Sequence, residues 1–142
     1  MFSVRSYKSS DYQGVFSLYK DHSTFGGQFD EDRDSEVCLS KGVEEDPYSI
    51  LVCELEGAII GTISLIENAR TAWLFRFAVV NNSYKDAVTN ALYNEAAHIL
   101  RQRGHTQVLV YGPQGDEDFI QRYSALSFEK GADYTCFWRH LK

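Results

Sequence analysis

The residues best placed to do chemistry follow an apolar run, Trp73-Leu74-Phe75-Arg76-Phe77-Ala78-Val79-Val80, and a polar break, Asn81-Asn82-Ser83-Tyr84-Lys85-Asp86. After the break, apolar residues recur at Val88, Ala91, Leu92, Ala96 and Ile99, which is one stripe of a 3.6-period helix. Gly104 is the expected stop, with Arg101 and Arg103 in the last turn where cations suit the dipole. A strand that feeds a helix through a short loop brings the unbonded N–H groups of the helix start beside the strand end. That place suits an anion, a phosphate above all.

Other reactive residue types form no such grouping. Cys38, Cys53 and Cys136 have no metal-ligand spacing and cannot all pair. Cys53 and Cys136 lie in strand-like apolar runs and are expected to be buried thiols. His22, His98, His105 and His140 are scattered and match no metal motif, and His98, off the helix stripe, is expected at the surface. Trp73 and Trp138 are expected in the core or on a sheet face. The acid run Asp30, Glu31, Asp32, Asp34 and Glu36 reads as a solvated face, with a wall attracting an amine as the alternative.

The chain of 142 residues is long enough for one domain with a real core, residues 1–142, and too short for two ordinary ones. Its 44% apolar content excludes a disordered chain. The formal charge of −6 argues against nucleic acid, whose phosphates need a basic face, and favours a neutral or cationic substrate. No apolar run is long enough to cross a bilayer, and the opening residues lack the layout of a signal peptide, so a cytosolic setting is expected.

The elements that must position the strand–loop–helix can be read in order. Residues 2–7 alternate as a strand, and Ser9-Ser10-Asp11 caps a helix with Tyr12, Val15, Phe16 and Tyr19 on one face. Gly26-Gly27 marks a turn over residues 23–28, and a surface helix is expected within 29–42. Residues 49–55 and 58–66 are strands joined by the two-residue turn Glu56-Gly57. The run at residues 73–80 makes a third antiparallel strand. Residues 107–111 form a strand after the long helix, which implies a parallel crossover. A helix over 116–126, capped by Asp116 or Asp118, and a closing strand over 134–141 complete an α+β domain with one mixed, mostly antiparallel sheet flanked by helices.

Three stretches, taken in this order, resemble the GNAT (Gcn5-related N-acetyltransferase) superfamily over nearly the whole chain. They are Ile50-Leu51-Val52-Cys53-Glu54-Leu55-Glu56-Gly57-Ala58-Ile59-Ile60-Gly61, residues 77–92, and Phe119-Ile120-Gln121-Arg122-Tyr123-Ser124-Ala125-Leu126-Ser127-Phe128-Glu129-Lys130. The resemblance implies acetyl-CoA as cosubstrate and acetyl transfer to a primary amine of a small molecule or protein. It implies that Lys85, Asp86, Ala87, Val88, Thr89 and Asn90 form the pyrophosphate loop, here one residue short and without its two glycines. It implies a carbonyl-polarising amide on the central strand at Ala78, Val79 and Val80, and Asp116 where relatives carry a cofactor-holding asparagine.

Tyr123 matches the family's tyrosine, a phenol of pKa ~10 suited to protonating the leaving thiolate; packing of its ring under the sheet is the alternative. The resemblance puts Arg76, which cannot act as a base, where many relatives carry a glutamate base; Glu67, Asp116 and Asp118 are the base candidates, with a water chain as the alternative. The resemblance further implies a possible homodimer. The competing reading is a non-catalytic domain of the same fold that binds acyl-CoA or protein partners. The first two helices, where this fold builds its acceptor pocket, carry no decodable motif.

Overall fold

The computed structural model describes residues 1–21 and 29–142. The turn expected at Gly26-Gly27 lies outside the described residues. The chain forms two compact units, Met1–Tyr111 and Gly112–Lys142.

The first unit is built on four antiparallel strands in sequential order: β1 (Ser3–Ser6), β2 (Ile50–Leu55), β3 (Ala58–Glu67) and β4 (Ala72–Val79). Glu56 and Gly57 both take positive φ, 50° and 83°, the twist a two-residue hairpin between β2 and β3 requires. Helices α1 (Tyr12–Lys20) and α2 (Glu36–Glu45) cover one face. There Tyr7, Val15, Tyr19, Leu39, Ile50 and Val52 form a buried cluster. Helix α3 (Lys85–Gln102) covers the other face through Val88, Leu92, Ala96 and Leu100. Between these layers β2 is buried at Ile50, Leu51, Val52 and Cys53, which explains its unbroken apolar run. Burial pushes the Cys53 thiol up to about 11.

The seating of α3 depends on Gly61 of β3. A Cβ there would lie 2.7 Å from Val88 Cγ1 and 2.8 Å from Leu92 Cδ1. Gly61→Ala is therefore expected to lower the unfolding free energy by about 1–3 kcal/mol through overpacking, measured by urea denaturation.

The expected helix within 29–42 forms later, at Glu36–Glu45, because Ser35 caps it by accepting the Cys38 N–H at 3.2 Å. The strand expected at 107–111 is reduced to one parallel bridge, Trp73 to Leu109, with Tyr111 stacked on Trp73 at 4.5 Å between ring centroids. Gly104 ends α3 at φ 87°, and His98 is exposed, both as expected.

In the second unit, α4 (Glu117–Ala125) is capped by the Asp116 carboxylate, which accepts the Phe119 N–H at 3.0 Å. The closing strand expected over 134–141 does not form. Tyr134, Phe137, Trp138 and Leu141 are exposed, and so is Cys136, against the expectation of a buried thiol and a packed tryptophan. Their apolar residues suit a strand, but a strand requires a paired neighbour, which they lack among the described residues.

Candidate functional site

The site begins at the outer edge of β4. Leu74 donates its N–H outward to the Leu109 carbonyl at 2.9 Å, whereas Val80 donates inward to the Ile60 carbonyl at 3.0 Å. Ala78 faces Thr62 across the ladder and Val79 faces Gly61. Alternation from Val80 directs the Ala78 N–H inward too, and the Val79 N–H to the outer edge. This is the amide flanked by Ala78 and Val80 that the sequence reading singled out. Val79 is 1% exposed, so the amide is shielded from water.

The loop beyond β4 turns tightly into α3. Asn82 accepts the Tyr84 N–H on Oδ1 at 2.8 Å and the Lys85 N–H on its carbonyl at 3.1 Å. Val88 donates to the Tyr84 carbonyl at 2.9 Å. Thr89 and Asn90 lie within the helix, where their N–H groups join its ladder. Among the described residues, the N–H groups of Asp86 and Ala87 find no partner. The positive end of the α3 dipole therefore presents two amides without any glycine, because the first turn of a helix needs only negative φ. The residues around them divide by side chain. Lys85 is half-buried and Asp86, Ala87 and Asn90 are exposed, whereas Val88 and Thr89 turn into the core.

A cavity of about 590 Å³ opens on the α1 side of the same loop, bordered by Asn81, Asn82, Ser10, Ser17, Asp11 and Asp21. Among the described residues no lysine, arginine or histidine lines it, and the described lining favours neutral or cationic groups over anions. Both Asp11 oxygens are engaged by Arg5, at 2.7 and 2.9 Å.

Arg76 and Asp34 are a pair that sequence reading missed. The guanidinium grips the carboxylate through Nε at 3.1 Å to both oxygens and through its terminal nitrogen at 2.8 Å. Both side chains are buried, at 9% and 2% exposure. Asp34 also accepts the Asp30 N–H at 2.9 Å, and its carbonyl accepts the Tyr12 hydroxyl at 3.0 Å. The acid run is thus a solvated face except at Asp34, which is buried. No local pattern marks it, because its partner lies on a distant strand.

Glu67 is held by Arg103 and by His105 Nε2, the latter at 2.6 Å. Asp118 is exposed in the first turn of α4, and Asp116 is its cap. Tyr123, in the second unit, is buried, with its ring 4.4 Å from Phe119 and 5.1 Å from Phe128 between centroids. Burial pushes its phenol up to about 12, with Arg122 opposing the shift. Among the described residues no group of His, Cys, Asp or Glu suits a metal, and no helix is long and apolar enough to cross a membrane.

No sequence-family model matches the chain, nor does any curated protein sequence. Solved structures do match. An N-acetyltransferase from Staphylococcus aureus Mu50 superposes with a TM-score of 0.76 at 13% identity, covering 93% of this chain and 86% of the other. Ard1 from Thermoplasma volcanium gives 0.73 at 18% identity, covering 92% and 84%. The PaiA N-acetyltransferase from Thermoplasma acidophilum, solved in complex with coenzyme A, gives 0.75 at 16% identity, covering 89% and 88%. At such identities the likeness speaks for the fold: this chain is built as an α+β protein with an antiparallel sheet and flanking helices, the fold of the GNAT acetyltransferases.

Proposed function

We propose that the protein transfers an acetyl group from acetyl-CoA to a primary amine of a small molecule or protein. The observation that carries this reading is the outward Val79 amide followed at once by a helix start with two unbonded N–H groups, at Asp86 and Ala87. A thioester carbonyl and a diphosphate need donors of these two kinds. On this reading the Asp86 and Ala87 amides hold the diphosphate, and Lys85 adds charge without a bidentate fork. The Val79 N–H polarises the carbonyl, in a water-poor setting where a fixed dipole acts strongly. The attacking amine gives up a proton to solvent water, the carbon–nitrogen bond forms, and the carbon–sulfur bond breaks. Tyr123 is assigned the proton for the departing sulfur. Its raised pKa keeps the phenol protonated across neutral pH, which suits an acid and not a base. The coenzyme A bound to the PaiA protein supports the cosubstrate.

The competing reading is a protein of this fold that binds acyl-CoA weakly or not at all and works through protein contacts. Two observations favour it: the burial of Val79, and the Asp86 carboxylate in the same first turn as the free amides. Thermal melting separates the two. Saturating acetyl-CoA at about a hundredfold its Kd is expected to add about 2.7 kcal/mol and raise Tm by roughly 5–10 °C. A Tm unchanged at millimolar acetyl-CoA leaves only the competing reading.

A further inference from the structure

The direction of the Val79 amide is set by a single irregularity in β4. Leu74 and Val80 are an even number of residues apart, so in an uninterrupted strand their N–H groups would share an edge. Instead they point to opposite edges, Leu74 to Leu109 and Val80 to Ile60. The extra residue lies between the pairs Ser64–Phe75 and Thr62–Ala78, where Arg76 and Phe77 together face Ile63. Arg76 takes φ 49°, the left-handed region that a residue with a side chain rarely adopts. Without that residue in the bulge, Val79 would stand opposite Ile60 and its N–H would be consumed by the ladder.

We propose that the buried Arg76–Asp34 ion pair is a positioning device that holds the β4 bulge and thereby turns the Val79 N–H out of the sheet. The bulge and the ion pair require each other. Straightening β4 would move the Arg76 side chain to the opposite face, since side chains alternate with period two. Asp34 could not follow, because the Asp30 N–H and the Tyr12 hydroxyl hold it from the other side. A carboxylate 2% exposed would then be left without its cation, which a protein interior strongly disfavours. The pair thus offsets the cost of an arginine in a conformation suited to glycine. Its role in acetyl transfer rests on reading the Val79 amide as the carbonyl donor, but the positioning claim does not need a ligand to be tested.

The test compares two double variants that both lack the ion pair. In Asp34→Asn with Arg76→Gly, glycine adopts positive φ unaided. In Asp34→Asn with Arg76→Ala, nothing holds it. Scalar coupling across the hydrogen bond to the Ile60 carbonyl, read by NMR on the ligand-free protein, reports the register. The wild type and the glycine variant are expected to show coupling from Val80. In the alanine variant that coupling is expected to be lost or to move to Val79. Retention of the Val80 coupling in the alanine variant would overturn the proposal. Acetyl-CoA binding is then measured separately: its absence from the wild type removes the transferase reading and leaves the register result standing.

Discussion

Asp34→Ala is expected to lower the unfolding free energy by about 3–5 kcal/mol, the largest effect of any single substitution considered for this chain. The cause is the guanidinium of Arg76. It is 9% exposed and would lose the carboxylate that grips it at 2.8–3.1 Å. The pair was formed at the expense of desolvating both ions, so its net worth is far smaller than the cost of removing one member. Replacing both residues together, Asp34→Leu with Arg76→Met, is accordingly expected to cost much less than the single change. Urea denaturation of the three variants checks this. A loss below about 1 kcal/mol for Asp34→Ala would mean that the charge escapes to solvent and that the pair is not the anchor described here.

The second large effect is on turnover. If Tyr123 supplies the proton for the leaving sulfur, Tyr123→Phe should reduce kcat by about 10²–10⁴-fold with little change in acetyl-CoA affinity. Stability should change little, since the ring that packs against Phe119 and Phe128 is retained. The pH profile adds a second check. Burial disfavours the phenolate, so the folded-state pKa is raised to about 12 from an ordinary value of 10. The acid therefore stays protonated as pH rises through 10, and no alkaline loss of activity from this group is expected below about 12. A phenylalanine variant with full turnover would return Tyr123 to a packing role.

Much of the architecture was legible in the sequence because it is written in local periodicity and turn chemistry. Glu56-Gly57 marked the hairpin, the stripe from Val88 to Ile99 marked α3, and two candidate caps, Asp116 and Asp118, marked the start of α4, where the structure selects Asp116. Boundaries failed where a local preference had two solutions. The acids at residues 30–36 are compatible with helix, yet Ser35 at the cap position delays α2 to Glu36. Residues 107–111 and 134–141 have strand composition, but only Leu109 bridges a neighbouring strand, and composition does not supply a partner.

By itself, the sequence determined the order of elements as far as α3, the hairpin, and the placing of a helix start directly after the central strand. Each follows from interactions within a few residues. Only the tertiary structure decided which donors that arrangement leaves unbonded. The extra residue at Arg76–Phe77 shows itself only against the register of β3, and its cation meets Asp34 from a segment far away in the chain. A glycine-free loop can still expose the Asp86 and Ala87 amides, because helical φ suffices there. Long-range pairing and burial therefore settle the direction and the shielding of the amides, and no residue spacing encodes either.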